Sequence, residues 1–234
     1  LPDARSLRVV RRNTYMTTAT TQQAQAAIAD NLAKEGDPRY WFARVYDYVS
    51  RAQLDACQDG RVRHVAWVLR LVVAFHAYYM RSFEPWTEGA KHAAEGHWVK
   101  AFEAGDRRDG RYQDDTYRLF RGLKLSMRAH IEFDLPRCLA DVYDAHYRDR
   151  CEFVRFRADY LGMAPLFNHA AARLIDEVPR RHLPFSFRIL GRLLPLKAKR
   201  RRMRERFYDV NRARTQAFVE GDRLTQEPKK TPSR

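Results

Sequence analysis

Apolar residues recur along the chain at spacings of three and four, and nowhere in a sustained alternation, so the pattern predicts helices and no strand. "TQQAQAAIADNLAKEG" predicts a first helix with Thr21 as its cap and Gly36 at its end. Asp37 and Pro38 open a second, striped by Trp41, Val45, Tyr48, Val49 and Ala52. A third, over about 62–82, carries Val62, Val65, Leu69, Val72, His76, Tyr79 and Phe83 on one face. Pro85 and Trp86 begin a fourth that ends near Gly105. After the polar "GDRRDGRYQDD", a fifth helix over about 115–133 is striped by Leu119, Phe120, Leu123, Met127, His130 and Ile131. Pro136 starts a sixth, through about Tyr160, with Leu139, Val142, Tyr143, His146, Phe153 and Phe156 on its stripe. A seventh covers about 165–177. Beyond Pro179 and Pro184 comes an apolar stretch interrupted by Arg188 and Arg192. A basic helix follows, striped by Met203, Phe207, Val210, Ala217 and Phe218.

The expectation is an all-α, single-domain bundle of about seven to nine helices over residues 17–222. A disordered N-terminal extension (1–16) would precede it, and a disordered basic tail (223–234) would follow. Met16 is an alternative start.

Composition supports a packed core: 45% of the 234 residues are hydrophobic and 12% aromatic. The longest apolar run, about 65–80, is broken by Arg70 and His76 and falls short of the ~20 residues that span a bilayer. No apolar segment of a secretory signal is visible at the N-terminus. Cys57, Cys138 and Cys151 have no metal or disulfide spacing and read as thiols in a reducing cytoplasm.

The net charge of +15 is unevenly placed. Residues 1–16 hold four Arg against one Asp, residues 180–234 hold 17 Lys/Arg against 5 Asp/Glu, and the body between holds 23 of each sign. A neutral globule with basic ends argues against a whole-protein nucleic-acid surface. The cations of residues 185–206 adjoin Phe185, Phe187, Ile189, Leu190, Leu193, Leu194 and Leu196, which suits an anionic membrane surface or an acidic partner. The expected location is cytoplasmic, with a peripheral membrane contact as the variant.

His76, His130 and His146 fall on the apolar stripes of three different helices and would converge if those stripes share a core. Asp134 follows His130 by four residues, which places both on one helix face, where a carboxylate orients an imidazole and fixes its tautomer. An Asp shortly before Leu135-Pro136 also reads as a helix cap. Glu132 points off the stripe, toward Arg128. "KHAAEGHWVKAFEAGD" holds Glu95 and His97, but reads as a solvated amphipathic helix. No GxGxxG, Walker loop, HExxH, GxSxG or di-iron ExxH pair is present.

"MRAHIEFDLP" resembles the GMNAHINHDLP-type motif of a bacterial, mostly actinobacterial, all-helical family of unknown function. "FARVYDYVS" and "RERFYDVNRARTQAF" resemble that family's flanking elements. Ala129, His130, Ile131, Asp134, Leu135 and Pro136 match the motif; Ser126, Arg128, Glu132 and Phe133 depart from it. The resemblance implies a helical fold and marks His130 and Asp134 as the ionisable centre; it implies no activity. Only eight Lys stand against 36 Arg, a bias that suits a high-GC genome and, with it, actinobacterial specialised metabolism.

The expectation from these residues is general acid–base chemistry on a small, fairly apolar molecule. His130 is the acid/base, Asp134 its orienter, and Tyr79 and Tyr143 are proton donors. No cofactor is expected. One alternative is a zinc or iron site built from His76, His130, Asp134 and His146. The other is a non-enzymatic module that binds an anionic membrane or a partner through its basic C-terminal helix.

Overall fold

The computed structural model describes residues 4–106, 115–178 and 208–227, and these hold helices and no strand. The α-helices are α1 (Ala4–Glu35), α2 (Tyr40–Gln58), α3 (Val65–Thr87), α4 (Gly96–Asp106), α5 (Asp115–Arg128), α6 (Leu135–His146), α7 (Arg157–Gly162), α8 (Ala164–Glu177) and α9 (Val210–Gln226). Short 3-10 turns, Lys91–Ala93 and Phe153–Phe156, precede α4 and α7. The all-α reading holds. No described helix is long and apolar enough to cross a membrane. The basic segment 185–206 and the end of the chain from 228 lie outside the described residues.

The last helix, α9, runs to Gln226, into the stretch expected as a disordered tail from 223, and four further boundaries differ from expectation, each for a physical reason. First, α1 does not begin at Thr21 but runs back to Ala4, through much of the stretch expected to be an extension. Thr21 is inside it, its hydroxyl donating to the Thr17 carbonyl at 2.9 Å. The inner face of α1 carries Thr18, Gln22, Gln25, Ala29 and Leu32, all buried. Its polar members bond across the interface: Thr18 to the Leu69 carbonyl (3.2 Å), Gln22 to Asp47 (2.7 Å) and the Gln25 amide nitrogen to the Ala43 carbonyl (3.0 Å), while the Gln25 amide oxygen is left without a partner. The expected stop at Gly36 stands, with φ of 67°, a left-handed conformation that glycine adopts without steric cost.

Second, Pro85 does not begin a helix. It lies in the last turn of α3, where the one bond it removes, to the carbonyl of Arg81, has only two helical residues after it. Third, the expected sixth helix stops at His146; Phe153 and Phe156 reach the core from the 3-10 turn before α7.

Fourth, and decisive for the site, no break separates the fifth helix from the sixth. α5 passes through a π-helical segment, Ala129–Asp134, directly into α6. The N–H of Leu135 bonds the His130 carbonyl, five residues back. A widened turn is how a helix takes in a proline, whose ring clashes with the carbonyl four residues earlier and which has no N–H to donate. Pro136 therefore sits at the exit of a π bulge within a continuous rod. Asp134 is helical (φ −76°, ψ −44°) and makes no side-chain cap bond, so its carboxylate is free for other partners.

Among the described residues, two apolar clusters fill the interior. One gathers Trp67, Leu69, Leu139, Phe153, Phe156, Tyr160 and Phe218; the other Phe42, Tyr46, Tyr79, Phe83, Trp98 and Phe102. Phe75, Phe167, Tyr208 and Val210, all partly buried, pack against both and mark the seam between them. Helix α9 closes over α6, with Gly221 against Leu139 and Pro136.

Candidate active site

The π segment places His130 and Asp134 in the middle of the rod, with 3% and 0% of their surfaces exposed. His130 Nδ1 lies 3.2 Å from Asp134 Oδ2. The same carboxylate takes three further donors. Trp98 Nε1–H donates to Oδ2 at 2.9 Å, Arg137 Nη2 to Oδ1 at 2.8 Å, and His97 Nε2 stands 3.1 Å from Oδ1. Asp134 is thus the hub of a polar cluster drawn from α4, the π segment and α6. Burial alone would raise its pKa. The bonds from His130, His97 and Trp98 outweigh that and hold it well below the usual carboxylate range.

The His130 ring is enclosed by aromatics. Phe75 stacks on it with centroids 3.4 Å apart and planes 7° from parallel. Tyr46, Phe42, Trp98 and Tyr79 follow at 4.7, 5.6, 5.8 and 6.1 Å. Burial lowers the His130 pKa, with Asp134 opposing and His97 adding to the depression, so the neutral imidazole is favoured. His130 Nε2 is buried and has no hydrogen-bond partner. Three other buried atoms near it share that condition: His76 Nδ1, Tyr46 Oη and Tyr79 Oη. Burial, aided by His130, brings the pKa of His76 down to about 4. Burial raises both tyrosines, so His76, Tyr46 and Tyr79 are all neutral at pH 7.

Family comparison places the whole of this cluster within one matched region, since the model of DUF5995, a family of unknown function, covers residues 19–234. The chain belongs to DUF5995. No curated protein and no solved structure matches it. The matched region contains all three sets of site residues: Tyr46 and Tyr79, His97 and Trp98, and the His130–Arg137 segment.

Of the residues anticipated from sequence, the DUF5995 fold brings together His130, Asp134, His76 and Tyr79. It leaves out the other two. Tyr143 faces the opposite cluster, where its hydroxyl donates to the Cys151 carbonyl at 2.8 Å beside Phe153. His146 is the last residue of α6 and lies with Tyr147, Arg70 and Arg150 around a surface cleft of about 170 Å³. The three-histidine convergence therefore fails at its third member.

Sequence reasoning missed His97, Trp98, Arg137, Tyr46 and Phe75. His97 and Trp98 were read as part of a solvated helix, but their partner is 36 to 37 residues away, and local periodicity carries no trace of it. Glu132 does pair with Arg128 (3.0 Å), and it also accepts from the Tyr208 hydroxyl at 3.1 Å.

Metal-ligating atoms of Glu95, His97 and Asp134 lie within 4.8 Å of one another. The middle of that group already has a cation. Arg137 Nη2 is 2.8 Å from Glu95 and 2.8 Å from Asp134, so the carboxylates are neutralised by a guanidinium whose place a metal ion would have to take. The arrangement is that of an ion-pair cluster that orients Asp134.

Proposed function

We propose that the chain is an enzyme carrying out general acid–base chemistry on a small, largely apolar molecule, with His130 transferring the proton and Asp134 orienting it. One observation carries this reading: His130 Nδ1 is tied to a buried carboxylate while Nε2, equally buried, has no partner. An ionised Asp134 only accepts, so the imidazole proton resides on Nδ1 and Nε2 presents a lone pair. That is the tautomer a general base needs. Tyr46, Tyr79 and His76 surround the ring as neutral hydrogen-bonding groups.

Phe75 lies flat on the imidazole and is only partly buried, at the seam between the two clusters. A planar substrate reaches His130 by taking the place of that ring. The geometry favours an uncharged, planar body, because the walls are aromatic and, among the described residues, the one charge beside the imidazole, Asp134, is neutralised by Arg137.

The test uses solvent deuterium. Wild-type protein and the His130→Asn and Asp134→Asn variants are incubated in D₂O with the small-molecule fraction of the source cells, and mass spectrometry reads compounds that gain deuterium or change mass. Compounds altered by the wild type and untouched by both variants are expected. Alteration that persists in His130→Asn removes the imidazole from the chemistry, and absence of any alteration by the wild type removes the enzymatic reading.

A further inference from the structure

We infer that Arg214 anchors a second binding site, one for the carboxylate of an apolar small molecule, where α7, α8 and α9 meet. This inference stands apart from the acid–base reading of His130.

Arg214 lies in the second turn of α9 with only 2% of its surface exposed. Its Nη2 donates to the Tyr160 carbonyl at 2.6 Å, and the Tyr160 hydroxyl donates back to the Arg214 carbonyl at 2.7 Å. The guanidinium carbon lies 3.9 Å from the centre of the Phe167 ring and 4.5 Å from that of Tyr160. Those contacts give packing, quadrupole attraction and one acceptor. They give no counter-charge. Among the described residues no carboxylate pairs with Arg214, and its Nε–H is buried without an acceptor.

This departs from how the molecule treats three of its partly buried arginines, while a fourth, Arg70, has only the Tyr147 hydroxyl but lines a surface cleft. Arg39 meets Asp37, Arg44 meets Asp30 and Asp47, and Arg137 meets Glu95 and Asp134. A buried charge without a partner is among the most destabilising features a fold can hold, and arginine does not escape by losing its proton. The local field makes the deficit larger. Arg214 is near the positive N-terminal end of α9, the first turn of that helix has no acidic residue, and the cap carboxylate of Asp209 is occupied by the Arg212 N–H at 2.9 Å. An anion completes this site.

The class of anion follows from the surroundings. One guanidinium matches one negative charge, and its flat N–H edge suits a planar carboxylate. Phe167 belongs to the seam with Phe75, Tyr208 and Val210, so an apolar body beside the carboxylate has aromatic and aliphatic surface to cover. Exposed Asn168 and Asn211, paired at 3.5 Å, follow Phe167 on α8 and precede Arg214 by three residues on α9.

The experiment measures thermal unfolding of the full chain against increasing benzoate, with acetate, inorganic phosphate and chloride at matched ionic strength. Benzoate is expected to raise the midpoint saturably, acetate less, and phosphate and chloride no more than salt alone. In Arg214→Met the midpoint without ligand is expected to equal or exceed the wild type's, and benzoate affinity to fall at least tenfold. His130→Asn should keep the full benzoate response, which separates this site from the proposed reaction. Amide chemical shifts read the same titration in the wild type, with changes expected at Tyr160, Phe167 and Arg214, so the test survives a Met variant that does not fold. The inference is overturned if chloride or phosphate acts as benzoate does, if Arg214→Met retains the response, or if the shifts move elsewhere.

Discussion

Replacing Asp134 by Asn changes one oxygen for an amide nitrogen at a fully buried hub, and its consequence can be worked from the four donors around it. Trp98 and His130 address Oδ2, while Arg137 and His97 address Oδ1. An amide has one acceptor oxygen, so two of the four must face an NH₂ group. With the oxygen kept toward Arg137 and His97, the NH₂ meets the Trp98 N–H, which loses its partner, and His130, which can adapt by moving its proton from Nδ1 to Nε2. The orphaned indole N–H costs about 1–3 kcal/mol. Arg137 keeps its pair with Glu95 and is partly exposed, so loss of the anion adds only about 0–1 kcal/mol to that. A domain with about 5–15 kcal/mol to lose remains folded. Urea unfolding at pH 7, followed by far-UV circular dichroism and tryptophan fluorescence, measures the loss. Nitrogen-15 spectra of the imidazoles report the tautomer, which should be Nδ1–H in the wild type and Nε2–H in the variant. The same switch removes the lone pair the proposed chemistry requires. A loss below about 1 kcal/mol, within the range of an ordinary substitution, would refute the hub. So would a wild-type His130 already protonated at Nε2.

Other consequences are separable. His76 has a folded pKa of about 4 against 6.5 for a free imidazole, so as pH falls through that window the unfolded chain binds a proton that the folded one refuses. Stability present above pH 6.5 should therefore decline toward pH 4, by at most about 3 kcal/mol and less for a partly exposed ring. Midpoints of urea unfolding against pH should be flatter in His76→Gln, and parallel curves would count against this. A Cβ at Gly221 meets the Leu139 Cβ at 3.1 Å and the Pro136 carbonyl oxygen at 3.2 Å, so Gly221→Ala should lift α9 from α6 and cost about 1–3 kcal/mol in denaturant titration. Arg137→Met removes the guanidinium that shares Asp134, leaving its charge more available to His130. The His130 pKa in an NMR titration should rise, and a lower or unchanged value would contradict the assigned role.

The helical class was legible because three- and four-residue spacing of apolar side chains is a local signal, and so was the His130–Asp134 pair, four residues apart on one face. Proline misled twice. Read as punctuation, Pro85 and Pro136 start helices, but the chain absorbs Pro85 near the end of α3 and Pro136 behind a π turn. That second substitution of bulge for break turned Asp134 from a helix cap into a buried ligand of side chains. His97, Trp98 and Arg137 were hidden for another reason: what they do depends on which helices cross, and α4 meets the π segment only through the tertiary fold. His146 failed because α6 ends at that residue and turns its imidazole toward Arg70 at the surface.

Charge compensation separates the groups that hold this fold from those left for another use. The buried carboxylates are served in full: Asp47 by Gln22 and Arg44, Asp134 by four donors, Asp159 by the Arg63 and His64 amides and the His64 ring. Such groups are structural, since removing one partner strands the rest. His130 Nε2, His76 Nδ1, Tyr46 Oη and Tyr79 Oη are left without partners, and they cluster around one imidazole. Burying a polar atom unsatisfied costs about 1–3 kcal/mol, and four at one place approach the margin on which a domain's stability rests. Phenylalanine at positions 46 and 79 would fill the same space without that cost. A core selected for stability alone has no reason to concentrate hydroxyls and imidazoles there. A core that must position a neutral, planar molecule against a free imidazole nitrogen has one.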